Sequence, residues 1–181
     1  DGTPLWSRES AAPVVVMDRR DAWQLTSMLR SVVDEGTGRA VRDWGVAGDV
    51  AGKTGTTNDG NDVWFVGYTP TVVTAVWFGY DQPQALPGGA SGGRLAAPAW
   101  AEWYRNGWRE RAAEGAWSPP AGMIAREVDP LNGQVANHWC PDKRTEWFKP
   151  GTEPTEQCPD HWEGQEWENP FQIDSTDDWF E

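Results

Sequence analysis

Apolar residues recur at helical spacing between Asp21 and Glu35. Leu25, Met28, Leu29, Val32 and Val33 fall at i, i+3, i+4, i+7 and i+8, which is one face of an α-helix. Asp18 or Asp21 is placed to cap its start, and Gly36 offers a left-handed stop. The period then changes. Val46 to Thr57 reads as an extended segment despite its glycines. "DVWFVGYT", from Asp62 to Thr69, and "TVVTAVWFGY", from Thr71 to Tyr80, are dense in β-branched and aromatic residues, the composition of strands. The short connection at Pro70 predicts an antiparallel hairpin. "ASGGRL" reads as loop. Pro98 suits a first helical turn, and a helix is expected from Ala99 to about Ala113, packing through Trp100, Trp103 and Tyr104.

Beyond Trp117 the pattern loosens. "SPPAG" reads as a linker-like turn. Ile124 to Val128 and Gln134 to Ala136 flank "DPLNG", whose Asn132-Gly133 step favours a tight turn, so a small hairpin is expected. A loop bounded by Cys140 and Cys158 follows, then a polar tail. These breaks divide the chain into residues 1–115, 116–160 and 161–181.

Charge sharpens that division. The net charge is -13, from 28 acids against 15 bases. Pro150 to Glu181 holds ten of the acids and no Lys or Arg, so the remainder is nearly balanced, 18 against 15. The tail reads as a solvated end, with partner binding as the alternative. Nucleic acid and anionic membrane surfaces are unsuited partners for such a chain. The longest apolar run, Val72 to Phe78, is far too short to cross a bilayer, so no transmembrane segment is expected in this chain. The first residue is Asp1 and no signal pattern follows it, which suggests further residues upstream. Of the aromatic residues 14 are Trp. Trp64, Trp77, Trp100 and Trp103 are expected in ordinary packing, whereas Trp162, Trp167 and Trp179 fall in the polar tail.

Cys140 and Cys158 stand alone in an otherwise Cys-free chain. A disulfide between them is the favoured reading; it closes a loop of 17 intervening residues. Such a loop is worth about 3 kcal/mol in the chain-entropy model and belongs to an oxidising compartment. Zinc is the rival reading, with His138 and His161 beside the two cysteines, but the spacings differ from the usual C-x2-C pattern. Free thiols are the third.

Candidate chemistry centres on "AGKTGTT", residues 51–57. A phosphate-binding loop needs a glycine five residues before Gly52, where Ala47 stands, and a helix after Lys53-Thr54, where turn residues and a strand follow. Both requirements fail. The same residues suit a strand edge lining a cleft. Lys53 supplies a compact cation with three donors, Gly55 admits a substrate backbone, and the Thr56 N–H is half of an oxyanion hole. Adjacent Lys53 and Thr54 fall on opposite strand faces, so a twist or bulge near Gly55 is expected to bring them together.

K-T-G is also the third signature of the penicillin-recognising serine acyltransferases. "VVDEGTGRAV", "GVAGDVAGKTGTTNDGNDVWFVGYTP", "AVWFGYD" and "RLAAPAWAEWY" follow in the order of the C-terminal half of a transpeptidase domain, and "FKPGTEPTEQC" resembles the extension after it. Together they resemble class A, bifunctional penicillin-binding proteins over Val14 to Cys158. The resemblance implies an α+β fold, a partial serine β-lactamase/penicillin-binding transpeptidase fold with an antiparallel sheet flanked by helices. It implies that Lys53 binds the substrate carboxylate and tunes the nucleophile's proton network, with Thr54 in support. Gly55 and the Thr56 N–H complete the catalytic strand, and the Thr56 and Thr57 hydroxyls receive the carboxylate of a D-Ala-D-Ala stem or a β-lactam. No cofactor and no metal enter this reading. The family's S-x-x-K and S-x-N motifs are absent from this sequence. The acylated serine and its lysine are therefore expected in an upstream part of the same protein, along with a glycosyltransferase domain and a membrane anchor, on the extracytoplasmic face. By itself this chain is expected to be inactive. Asp62 is expected to cap the turn after the lysine loop. Gly36-Thr37-Gly38 reads as a helix stop, with a place on the cleft rim as the alternative. The competing function is a non-catalytic glycan- or partner-binding module built on the tryptophans.

Overall fold

The computed structural model describes residues 14–108 and 115–162. It comprises two compact units, Asp1–Pro120 and Ala121–Glu181. Residues 163–181 of the acidic tail, and the end of the helix expected to reach Ala113, lie outside the described residues.

In the first unit, α1 spans Arg19–Asp34 and the Asp18 carboxylate caps it, accepting the Arg20 N–H at 2.8 Å. Gly36 does not take the left-handed conformation expected of it. The Glu35 and Gly36 N–H groups both donate to the Ser31 carbonyl at 3.0 Å, and a Cβ at residue 36 would sit 2.9 Å from the Val32 Cα. Close approach, rather than backbone handedness, is what glycine provides there. Of the expected apolar face only Val33 is fully buried; Leu25 is 43% and Met28 61% exposed. A short helix, α2, follows at Ala40–Asp43.

Three antiparallel strands come next in the order β1 (Ala51–Thr56), β2 (Val63–Tyr68) and β3 (Val73–Phe78). The hairpin through Pro70 forms as expected, with Val63 opposite Phe78 and Tyr68 opposite Val73. Alternation puts Val63 and Phe65 on the core face and Trp64 and Val66 on the other. Trp64, paired with Trp77 at 6.0 Å between ring centroids, is half-exposed like its neighbour, not core as expected. On that face Trp64, Val66, Val73 and Trp77 are 39–71% exposed, while Tyr68 at the strand end bonds to Thr26 of α1.

"ASGGRL" is not simple loop. Ser91 accepts the Arg94 N–H at 3.2 Å and starts a π-helical turn, Gly92–Ala96, that runs into α3 at Ala97–Trp103. The helical path therefore begins earlier than Pro98 suggested, because the Ser91 cap acts before the proline. It continues as a second π-helical stretch, Tyr104–Trp108. Trp100 is buried, edge-on to Phe65 at 5.6 Å and stacked on Tyr104 at 5.3 Å. It links α3 to the sheet and is the largest fully buried side chain among the described residues of this unit.

The second unit is a different kind of object. Here β4 (Ile124–Val128) pairs antiparallel with β5 (Arg144–Phe148), from Ile124 opposite Phe148 to Val128 opposite Arg144. The hairpin expected across "DPLNG" shrinks to one bridge, Val128 to Val135. Asp129 causes this: its carboxylate accepts the Leu131 N–H and its carbonyl accepts the Gly133 N–H, both at 2.8 Å. Val135 also bridges to Gln157. Among the described residues, the buried side chains of this unit are Val128, Asp129, Cys140, Cys158 and His161.

Candidate active-site cleft

The lysine segment folds as β1 and leads through a turn into β2, with no helix after Lys53. Thr57 donates its N–H to the Asp62 carbonyl at 3.0 Å, which makes these two a hydrogen-bonded pair. Such pairs alternate along an antiparallel ladder. With the observed register, Gly55 bonds to Trp64 and Lys53 to Val66. Gly52, Thr54 and Thr56 then turn their N–H and C=O groups away from β2. Among the described residues β1 is an edge strand, so these groups face its open side.

The bulge expected near Gly55 is absent. Pairing is unbroken from Ala51 opposite Tyr68 to Thr56 opposite Val63, so Lys53 and Thr54 stay on opposite faces. A cleft of about 390 Å³ is lined by Thr54 and Thr56, by Gly36, Thr37, Arg39 and Ala40, and by Ser91, Gly93 and Arg94. Lys53, Gly55 and Thr57 are not among its lining residues. Lys53 is exposed, and its ammonium donates to the Thr54 carbonyl at 3.0 Å. Because that carbonyl points outward, the ammonium hangs over the strand edge.

Hydroxyls and backbone hold the cleft open. Thr54 Oγ1 and Thr37 Oγ1 share a hydrogen bond of 2.7 Å, and Thr56 Oγ1 accepts the Gly92 N–H at 3.0 Å. A Cβ on Gly92 would collide with the Trp64 and Gly55 carbonyl oxygens, and one on Gly93 with the Thr37 carbonyl. Only glycine lets this wall approach β1. Thr57 serves the turn instead: its Oγ1 accepts the Asn61 and Asp62 N–H groups at 3.0 Å. It thus caps the turn in place of Asp62, whose carboxylate accepts the Trp77 indole N–H at 2.9 Å.

Sequence reasoning missed Arg39, Ser91 and Arg94. Nothing local marks them, since the fold alone brings two segments some 50 residues apart to one rim. Thr37, weighed as a rim residue, lines the cleft. Arg39 pairs with Asp43 at 3.5 Å in an exposed contact, and Arg94 is exposed. The cleft lining thus holds two guanidinium groups, Arg39 and Arg94, and four hydroxyls, those of Thr37, Thr54, Thr56 and Ser91.

The expected Cys140–Cys158 bridge is not formed; both are buried free thiols. Their sulfurs share a cluster with Asp129 and His161, whose ligand atoms all lie within 4.8 Å of one another. His138 is turned elsewhere, its ring 3.8 Å from that of Trp139. Burial above all pushes the Cys140 thiol up to about 11. Burial acts to raise Asp129 too, yet the Leu131 N–H, both thiols and nearby His161 together hold it below its ordinary value. Asp129 escaped sequence reasoning because "DPLNG" reads as turn chemistry and nothing else.

A family model described as the penicillin binding protein transpeptidase domain matches residues 7–104, and one described as the penicillin-binding protein 1A C-terminal domain matches residues 119–163. Penicillin-binding protein 1A of Pseudomonas aeruginosa is 39% identical over 134 residues, 74% of this chain and 16% of that protein. The Neisseria lactamica protein of the same name is 38% identical over 122 residues, 67% of this chain and 15% of that one. A crystal structure of penicillin-binding protein 1A from Haemophilus influenzae superposes with a TM-score of 0.67 at 27% identity, covering 79% of this chain and 22% of the other. The chain therefore spans about a sixth of the length of these curated relatives. It belongs to the class A penicillin-binding proteins, as the C-terminal part of their transpeptidase domain joined to their C-terminal domain.

Proposed function

We propose that this chain forms one wall of a peptidoglycan D,D-transpeptidase site. The outward edge of β1 beside the cleft carries the reading. The Thr56 N–H lies where an acyl oxygen can receive it, and Thr54, Thr56, Arg39 and Arg94 surround space suited to a peptide's terminal carboxylate. Lys53 acts from the strand edge, where its ammonium, over the Thr54 carbonyl, binds the substrate carboxylate as it leaves the cleft and tunes the proton network of the nucleophile. The serine and its lysine partner come from elsewhere in the protein, as does a glycosyltransferase domain. A stem peptide ending in D-Ala-D-Ala is cut through an acyl-serine, and the acyl group passes to an amine of a neighbouring strand; β-lactams acylate the same serine. The work takes place on the extracytoplasmic side of a membrane to which another segment is anchored. The half-exposed apolar sheet face of Trp64, Val66, Val73 and Trp77 fits a domain completed by further chain.

Fluorescent penicillin tests this reading. The full-length protein should label, its Lys53→Ala variant should label far more slowly, and this 181-residue chain alone should not label. Equal labelling of the variant removes Lys53 from the mechanism. The exposed Trp64–Trp77 pair favours a second reading, a glycan-stacking surface. Retention of this chain on purified glycan strands, lost on Trp77→Ala, would support that one.

A further inference from the structure

The second unit is organised around four side chains that do not belong together in an ordinary core. Asp129 follows β4, Cys140 ends the Asn137 turn, and Cys158 and His161 lie together near the end of the described chain. All four are buried. Cys158 Sγ is 3.2 Å from Asp129 Oδ2 and 3.3 Å from His161 Nδ1, and His161 Nδ1 is 2.7 Å from Asp129 Oδ2.

Two features decide what this cluster is. The thiol and the carboxylate both approach the same imidazole nitrogen. A nucleophile–base–orienter relay uses the two different ring nitrogens, and it needs access to substrate; this group has neither. The four ligand atoms instead lie within 4.8 Å of one another. A tetrahedral zinc site with bonds of about 2.0–2.3 Å places its ligand atoms roughly 3.3–3.8 Å apart. The two Cys158 contacts, 3.2 and 3.3 Å, are a few tenths of an ångström short of the spacing for a sulfur beside oxygen or nitrogen, Asp129 and His161 need to part by about half an ångström, and any separation near the cluster's 4.8 Å bound must close by about one.

We propose that Asp129, Cys140, Cys158 and His161 bind one zinc ion that holds the second unit together. Sulfur, nitrogen and oxygen donors in a tetrahedral set select zinc over hard cations. Four protein ligands leave no open position, so the site is structural, not catalytic. Binding releases the two thiol protons and leaves the imidazole neutral with Nδ1 on the metal. Neighbours already orient the ligands as thiolates need. The Asn137 N–H donates to Cys140 Sγ at 3.3 Å, and the Asn132 amide donates to Cys158 Sγ at 3.2 Å. The Asn137 amide also ties the Cys158 and His161 carbonyls, at 3.0 and 2.9 Å. The site joins three chain segments in a unit whose described buried apolar side chains are few, a setting in which small domains use a metal.

The test uses the full chain, prepared with its thiols reduced, and Zn²⁺ and Co²⁺ as probes. The proposal expects one zinc per chain by elemental analysis. With Co²⁺ it expects thiolate charge-transfer absorption and the intense visible bands of a tetrahedral ion. Cys158→Ser and His161→Gln should abolish stoichiometric binding, and His138→Gln should leave it intact. Should the ligand variants fail to fold, Asn132→Ala decides: it keeps all four ligands and should weaken Zn²⁺ by about 10- to 100-fold. Absence of metal from the reduced chain overturns the proposal. So does an octahedral cobalt spectrum, an unchanged affinity in Asn132→Ala, or a metal-free mass two hydrogens low in protein isolated without reductant.

Discussion

The two units of this chain solve the same problem by opposite means. The first buries Val33, Phe65 and Trp100 around a three-stranded sheet and keeps its polar groups at a strand edge. The second has two five-residue strands and turns acid, thiols and imidazole inward. Apolar burial is non-directional and tolerates imperfect neighbours. A buried polar cluster stabilises only when every member is satisfied. The first unit should therefore respond to lost volume, and the second to the loss of a single partner atom.

Replacing Trp100 by Ala should have the largest effect. It removes the ring that joins α3 to Phe65, at a cost of about 3–5 kcal/mol. Denaturant unfolding read by tryptophan fluorescence should show the loss, while the cobalt spectrum of the second unit stays unchanged. A spectrum that collapses with Trp100 would erase the contrast between the units.

Gly92→Ala comes next. The new methyl meets the Trp64 and Gly55 carbonyls, so the wall must retreat from β1 at about 1–3 kcal/mol. Penicillin acylation of the full-length protein should fall more than stability does, because the cleft widens. In the second unit, Asp129→Asn should be comparably costly, about 1–3 kcal/mol in the metal-free chain, since Cys158 and His161 lose a buried acceptor. Thermal unfolding with chelator present checks this, and an unshifted midpoint would argue that the cluster is incidental.

Smaller effects refine the picture. Thr37→Val deletes the bond to Thr54 at about 1 kcal/mol. Arg39→Ala removes an exposed ion pair worth under about 1 kcal/mol, yet it should slow acylation by anionic β-lactams. Stability and acylation measured on the same variants separate a scaffold role from a binding role.

How much of this was legible in the sequence follows the same divide. The β2–β3 hairpin declared itself through dense β-branched and aromatic residues, and the lysine strand through its failure to meet the phosphate-loop pattern. Both signals are local. The Arg39–Arg94 rim is not local, and neither residue carries a mark until α2 and the turn after Ser91 meet at β1. β5 was hidden because "RTEWF" alternates with charges and has no turn linking it to β4. Asp129 was read as turn chemistry, which it performs, while its second oxygen serves the cluster. The disulfide expectation came from counting cysteines, whereas their fate depends on two residues that the count leaves out.

The proposed site holds a carboxylate at the edge of β1. The direct measurement is the acylation rate of the full-length protein by a penicillin and by its methyl ester, in the natural sequence and in Lys53→Ala. The free acid should be strongly preferred, and that preference should shrink by roughly tenfold or more when the ammonium is removed, since a charge-assisted contact is worth at least one such factor. An acid-over-ester preference that survives Lys53→Ala unchanged would contradict it.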